Sequence, residues 1–269
     1  MKRRFLLAIS LLLVLVMSLA GWTQVEGTPS NEELLAAMDA ARFLDSDTGY
    51  VVQVMEIHAV RPDSVEEAAI RLSMKTIDGE ALRLRIDFLA PEDSVGQSFL
   101  ILEDDSVLLC TPDLAMPLRI SGGTDVFGDS TVSTTAGIQF AEAYVVLDRQ
   151  ATMIDDVAVL ELQLEAIELG TAYPSATVWI DAETYFPIEA VLYALSGDPL
   201  NRITYDEYGT FPFEDVEAGF ADSYAVVQIV ENLIQEGFTT TLTISGIELD
   251  PIPEHLLDPE QFCRDTDDS

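Results

Sequence analysis

The sequence predicts a mainly β protein whose strands form one curved antiparallel sheet. The strand pattern is clearest in residues 81–110. Its first strand alternates between two faces: Leu82, Leu84, Ile86 and Phe88 on one, and Arg83, Arg85 and Asp87 on the other. Such a period of two indicates a strand with one apolar face and one solvated face. Two more apolar runs, 99–102 and 107–110, follow after short polar turns, so the stretch predicts an antiparallel meander.

The first 20 residues predict a signal peptide. Basic residues at positions 2–4 precede an apolar run of 16 residues, 5–20, which ends in Ser18-Leu19-Ala20. Small residues at that place are typical of a cleavage site, and the run is shorter than the ~20 residues that span a bilayer. We therefore expect a soluble, periplasmic mature protein with a flexible segment at 21–30.

The net charge is extreme. The chain has 13 basic and 48 acidic residues, for a net charge of −35. Removal of Lys2, Arg3 and Arg4 with the signal peptide leaves a mature chain of net −38. Such a charge excludes nucleic-acid binding, because phosphates would be repelled. It fits either a surface adapted to high salt or a docking face for a cationic partner. The even spread of acidic residues along the chain favours the first.

The remaining elements follow in order. A helix is predicted from Ser30, because Ser30 and Glu33 have the spacing of a capping box. Leu34, Leu35, Met38 and Ala41 share one face of this helix, which we expect to last to about residue 44.

Segment 131–140 is expected to be a short helical lid or a loop. About eleven strands are predicted in one domain, 31–262, followed by an acidic tail, 263–269. Outside the meander they are 50–57, 70–76, 118–120, 157–167, 176–180, 188–195, 202–208, 224–230 and 238–249.

The cysteines and histidines limit the chemistry. Cys110 and Cys263 are expected either to form a disulfide between tail and meander or to be two reduced, buried thiols. His58 and His255 are the only histidines, which is thin support for a catalytic triad or a zinc site. Segment 45–49 resembles the start of a calcium loop, but its glycine is at the fifth position instead of the sixth. We therefore predict no enzyme, no metal and no cofactor.

The order of several short motifs resembles that of a known family. These motifs are Arg85-Ile86-Asp87-Phe88-Leu89-Ala90-Pro91, Ser98-Phe99-Leu100-Ile101-Leu102, Val107-Leu108-Leu109-Cys110-Thr111-Pro112, Phe127-Gly128-Asp129-Ser130, Val178-Trp179-Ile180-Asp181, Phe186-Pro187-Ile188, Thr241-Leu242-Thr243-Ile244 and Pro259-Glu260-Gln261-Phe262. Over 31–262 the chain resembles the outer-membrane lipoprotein-sorting family of LolA/LolB-like carriers, in particular its longer uncharacterised members.

The resemblance implies a half-closed antiparallel barrel with helical lids, which holds acyl chains in an apolar cavity without chemistry. The family's lid-locking arginine has no firm match. Arg83 and Arg85 lie in about the right region, but the alternation directs them away from the leucine face. The gating residues are therefore not assigned.

We predict a monomeric, exported carrier of lipoprotein acyl chains or another lipid, which works with an inner-membrane export complex. A chain of about 15 methylenes transfers roughly 12 kcal/mol of hydrophobic free energy, so it needs an enclosed cavity. The predicted lining residues are Leu82, Leu84, Ile86, Phe88, Leu160, Leu162 and Leu164. The alternatives are a dry core at these leucines, an accessory module of a membrane exporter without lipid cargo, and, as a third class, a hydrolase.

Overall fold

A computed structural model describes residues 29–40, 51–77, 81–102, 106–114, 116–168, 171–210, 223–248 and 252–263. The signal peptide, most of 21–30, the calcium-like segment 45–49 and the end of the predicted tail lie outside the described residues.

The described chain is dominated by one large antiparallel sheet. The first half consists of helix α1 (Asn31–Ala40) and strands β1 (Val51–Arg61), β2 (Ser64–Ile77), β3 (Ala81–Ala90), β4 (Ser98–Ile101), β5 (Val107–Cys110) and β6 (Leu118–Ile120). The middle consists of β7 (Asp125–Phe127), β8 (Ser130–Thr131), α2 (Val132–Ala136) and α3 (Phe140–Ala143). The second half consists of β9 (Tyr144–Ile154), β10 (Val157–Ala166), β11 (Ser175–Asp181), β12 (Pro187–Tyr193), β13 (Pro199–Thr210), β14 (Ser223–Asn232) and β15 (Thr239–Glu248). A 3₁₀-helix, Glu254–Leu257, follows.

The strand order explains how the two halves join. Thirteen strands pair in the order β6-β5-β4-β3-β2-β1-β15-β14-β13-β12-β11-β10-β9, and β7 and β8 form a separate two-stranded hairpin. The last strand therefore pairs with the first, and the two outermost strands come from the middle of the chain. The predicted fold class is confirmed: the sheet is antiparallel, strongly curved and not closed into a barrel.

The predicted antiparallel meander is present. Met74 of β2 lies opposite Leu84 of β3, which in turn lies opposite Ile101 of β4. Leu84, Ile86 and Phe88 all belong to the main hydrophobic cluster. The apolar alternation therefore directed one face of the sheet inward, as expected from burial of nonpolar surface.

One assignment within the meander was wrong. Arg85 was predicted to face solvent, but its side chain is only 8% exposed, because residues 252–263 cover the outer face of β3. We call residues 252–263 the C-terminal strap. Arg85 donates hydrogen bonds to both carboxylate oxygens of Asp87 and to the Leu256 carbonyl oxygen, each at 2.9 Å. Its guanidinium also lies 5.1 Å from the centre of the Phe262 ring.

The strap is fixed by further contacts. Cys263 forms a disulfide with Cys110 of β5, with their Cα atoms 5.6 Å apart. Lys75 Nζ lies 2.7 Å from Glu254 Oε1, and Arg83 donates to the Leu257 carbonyl oxygen at 3.1 Å. Beneath the strap lies a second, smaller apolar cluster, composed of Leu100, Cys110, Leu257 and Phe262.

Strand β9 was not predicted from the sequence. Val145 and Leu147 are exposed, and no regular alternation marks this segment. Because β9 lies at the edge of the sheet, its side chains are not divided into one buried and one solvated set. Strand β2 also begins earlier than predicted, at Ser64 instead of residue 70. The prediction missed residues 64–67 because they are exposed and show no alternation of apolar and polar side chains.

Candidate functional site

Helix α1 covers part of the concave face of the sheet. Ser30 and Glu33 form the predicted capping box: the Glu33 backbone N–H donates to Ser30 Oγ at 3.1 Å, and the Ser30 N–H donates to Glu33 Oε2 at 2.7 Å. These hydrogen bonds lower the pKa of Glu33. Asp39 at the other end accepts hydrogen bonds from the backbone N–H groups of Phe140 and Ala141. Helix α1 is therefore linked directly to α3.

Segment 121–139 forms a second cover. Gly128, at φ +62°, lies so close to the sheet that a Cβ atom there would be 2.5 Å from Ala59 Cβ and from Thr240 Oγ1. The following Asp129 N–H donates to Thr240 Oγ1 at 2.9 Å. Only glycine combines that backbone angle with such a close approach. The β7–β8 hairpin is thereby fixed to β1 and β15.

Helix α2 continues from this hairpin across the concave face. Its N-cap, Thr131, accepts a hydrogen bond from the Thr134 N–H, and Thr134 Oγ1 accepts one from the Thr131 N–H. Gln228 of β14 donates to the Thr134 carbonyl oxygen at 2.7 Å. A helix of five residues has little stability alone, so these side-chain bonds hold it over the sheet.

A cavity of about 310 Å³ lies between this cover and the meander. Its volume is at the lower end of the range for small-molecule sites, about 300–1,000 Å³. The floor consists of apolar side chains: Leu84, Ile101, Val107, Val132, Ala136 and Ile138. The rim includes the exposed side chains of Arg119, Ser121 and Glu168. The arrangement has the polarity expected of a site for an amphiphile.

The far wall of the cavity carries a buried hydroxyl network. Tyr173 is 4% exposed, and its hydroxyl contacts Thr131 Oγ1 at 3.1 Å and Asn201 Oδ1 at 3.4 Å. Burial raises the pKa of Tyr173, and the hydrogen bond to Thr131 opposes that effect. The Tyr144 hydroxyl donates to the Tyr173 carbonyl oxygen at 2.7 Å. This wall is thus held by hydrogen bonds from two tyrosine side chains.

The predicted lining residues meet in one place. Leu84, Ile86 and Phe88 share the main cluster with Leu162 and Leu164. Leu82 and Leu160 are partly buried and pack against it. Of these seven described residues, Leu84 alone lies on the wall of the 310 Å³ cavity, and the others pack around it. Their role as lipid-binding residues stays a prediction.

The sequence identified only part of the cover: segment 131–140, predicted as a short helical lid or a loop, contains helix α2 (Val132–Ala136). Val132, Ile138 and Tyr173 line the cavity but lie in segments without strand or helix periodicity. The hydroxyl-rich run 130–135 was the available signal, because such a run suits a helix cap at a buried position.

Other site types lack support in the described part of the chain. It contains no group of three or more His, Cys, Asp or Glu side chains placed to hold a metal ion. His58 is half-exposed and lies 3.5 Å from Glu67 at the sheet surface. No helix among the described residues is both long and apolar enough to cross a membrane.

Comparison with known proteins finds one matching family model and several solved structures with a similar fold. A family model described only as an uncharacterised protein matches residues 83–264. No curated protein matches the chain. The fold is similar to that of a LolA superfamily protein from Nitrosomonas europaea, with a TM-score of 0.70, 20% identity, and coverage of 86% of this chain and 98% of that one.

Two other solved structures are similar to nearly the same extent. A putative outer membrane lipoprotein-sorting protein domain from Vibrio parahaemolyticus has a TM-score of 0.68 and 19% identity, over 85% of this chain and 96% of that one. A DUF1329 family protein from Desulfovibrio piger has a TM-score of 0.67 and 16% identity, over 85% and 95%. At such identities the similarity establishes the fold.

Proposed function

We propose that this protein is an exported carrier of acyl chains. The chain belongs to the uncharacterised protein family whose model matches residues 83–264, and it has the fold of LolA superfamily proteins. The observation that carries this proposal is the 310 Å³ cavity on the concave face, with its apolar floor and polar rim. The cargo is a lipoprotein or another lipid, and the protein shields its acyl chain without chemical change.

The energetics favour a carrier over an exposed binding surface. Each buried methylene contributes about 0.8 kcal/mol, so even a partly enclosed chain gains substantial free energy. The cover supplies the enclosure, because α2 packs Val132 and Ala136 into the main apolar cluster and is also bonded to Gln228 of the sheet.

The export part of the proposal rests on the predicted signal peptide, and the similarity to a putative outer membrane lipoprotein-sorting protein domain supports it. N-terminal sequencing of the native protein tests it. We expect the mature chain to begin near Gly21. An intact Met1-Lys2-Arg3 on membrane-bound protein would contradict export by cleavage.

Lipid binding is tested with a fluorescent acyl probe and two matched tryptophan substitutions. Leu84→Trp adds volume beside the cavity, so it should fold with a near-native melting temperature and lose the probe. Leu162→Trp adds the same volume within the core, where overpacking costs about 1–3 kcal/mol. The measurements are thermal unfolding and probe titration, together with analysis of lipid that co-purifies with the wild type.

The outcomes separate the carrier from its main alternative. Saturable binding by the wild type, lost in Leu84→Trp while the fold survives, supports the carrier. A wild type that binds no acyl probe and carries no lipid, together with a Leu84→Trp variant as destabilised as Leu162→Trp, would assign these leucines to a plain core. The function would then be that of an accessory module of an export complex.

A further inference from the structure

One buried polar side chain stands out on the concave face. Gln53 lies on β1, in the inward-facing row that contains Val51, Met55 and Ile57, and its residue is 3% exposed. It is paired in register with Leu72 of β2. Among the described residues, none accepts a hydrogen bond from Gln53 Nε2. A buried amide donor without an acceptor is costly, so such a group needs an explanation.

Gln53 lies on the wall of a second, small cavity of about 30 Å³. Most of this wall is apolar, including Met55, Leu72, Met74, Leu242 and Ile244. Two other polar side chains on the wall already have partners: Thr135 Oγ1 lies 2.7 Å from Ser130 Oγ, and Gln228 donates to the Thr134 carbonyl oxygen. The Gln53 amide therefore offers an unused donor to whatever enters this cavity.

The small cavity adjoins the large one. Ala136 and Gly137, at the end of α2, form part of both walls. On the sheet beneath, Met74 of the small cavity lies opposite Leu84 of the large cavity in the β2–β3 register. The two cavities are thus neighbouring compartments on the concave face, under the end of a short cover helix.

We propose that the Gln53 side-chain amide binds the carbonyl oxygen of an uncharged acyl ester or amide, whose hydrocarbon chain occupies the large cavity. This inference rests on the proposed function, which it deepens by naming the cargo class. The carbonyl supplies the missing acceptor, and the apolar floor accepts the chain. The end of α2 adjusts to let one ligand span both compartments.

The same surroundings discriminate against a free fatty acid. No Lys, Arg or His side chain is among the described residues that line the small cavity. A carboxylate there would lose its hydration without gaining a counter-charge. The net charge of −35 also opposes the entry of an anion. A carbonyl end that lies in the small cavity is therefore preferred in a neutral form.

The test uses three ligands of similar chain length: methyl palmitate, palmitate and octadecane, each measured by displacement of the fluorescent acyl probe. Gln53→Met removes the amide but keeps the length of the side chain. Gln150→Met, on the exposed edge strand β9, is the matched control. We expect the wild type to prefer methyl palmitate. Gln53→Met should lose about three- to tenfold in affinity for methyl palmitate and keep its affinity for octadecane.

The results distinguish a failure of the carbonyl anchor from a failure of the carrier function. Equal effects of Gln53→Met on methyl palmitate and octadecane, or none on either, would overturn the carbonyl anchor while leaving the carrier intact, and the amide would then bind an internal water. Palmitate binding as tight as that of the ester would overturn the neutral class. A wild type that binds none of the ligands would overturn the carrier itself, and with it this inference.

A second measurement needs no variant. Methyl palmitate labelled with ¹³C at its carbonyl is bound to the wild type, and its carbonyl stretch is measured by infrared spectroscopy. A hydrogen bond from Gln53 shifts the stretch to lower frequency than in hexane. An unshifted stretch in the bound state would contradict the anchor, even if Gln53→Met failed to fold.

Discussion

The two faces of strand β3 differ in how they are covered. On the inner face, Leu84 borders a cavity of about 310 Å³ beneath a short helix held by side-chain bonds. On the outer face, Arg85 is covered by the C-terminal strap, which a disulfide and several charged hydrogen bonds fix in place. The comparison teaches that the outer face stabilises the meander, so that the inner face need not be filled to keep the strands together.

The largest effect is expected from the disulfide. The double substitution of Cys110 and Cys263 by alanine removes a link across 153 residues, which should lower the free energy of unfolding by about 2–5 kcal/mol. Acyl-probe binding by the folded variant should be unchanged, because the cavity lies on the opposite face. Chemical denaturation and probe titration measure the two quantities. A variant that stays folded but no longer binds the probe would show that the two faces are not independent.

A smaller loss is expected from Arg85→Met. The substitution leaves Asp87 and the Leu256 carbonyl oxygen without their strongest donor, so the free energy of unfolding should fall by about 1–3 kcal/mol. Arg71→Met is the control, because Arg71 is exposed and lies opposite the same Asp87 on the neighbouring strand. Its effect should stay within about 0.5 kcal/mol. Equal losses from the two substitutions would contradict the special role of the strap.

The effect of salt on the melting temperature tests whether repulsion across the acidic surface outweighs the attraction between the strap and the basic side chains that hold it. The chain has a net charge of −35, and Lys75, Arg83 and Arg85 all bind the strap. Potassium chloride at molar concentration should therefore raise the melting temperature by screening repulsion over the rest of the surface. Sucrose serves as the uncharged control. A melting temperature that does not change with salt would favour a dedicated cationic partner instead.

The smallest effect is expected from the ion pair between Lys75 and Glu254. The hydrogen bond and the charge of Lys75 hold the pKa of Glu254 below its ordinary value of 4.5. The pair therefore stabilises the folded state above pH 4.5, and this contribution is lost as the pH falls through the lowered pKa. Glu254→Gln should reduce the melting temperature slightly at pH 7 and not at all in stronger acid. Glu260→Gln, at an exposed position in the same strap, is the matched control for the loss of one negative charge.

Periodicity in the sequence was sufficient to predict the central strands. The alternation around Leu84 and around Leu162 predicted strands that exist, and the structure places both leucines in one core. The spacing of Ser30 and Glu33 predicted the start of α1 for a similarly local reason. These features depend on neighbouring residues, so a single sequence contains the information. Strand β9 was missed because an edge strand needs no alternation.

The sequence by itself determined the curved antiparallel sheet, its apolar face and the acidic surface, since these follow from composition and a period of two. Only the tertiary structure decided that Arg85 is buried, that Cys110 meets Cys263, and that residues 121–139 cover a cavity instead of filling it. It also placed Gln53 beside the end of α2. Each of these depends on segments far apart in the chain, and no local pattern of residues specifies which distant segment will cover a given face.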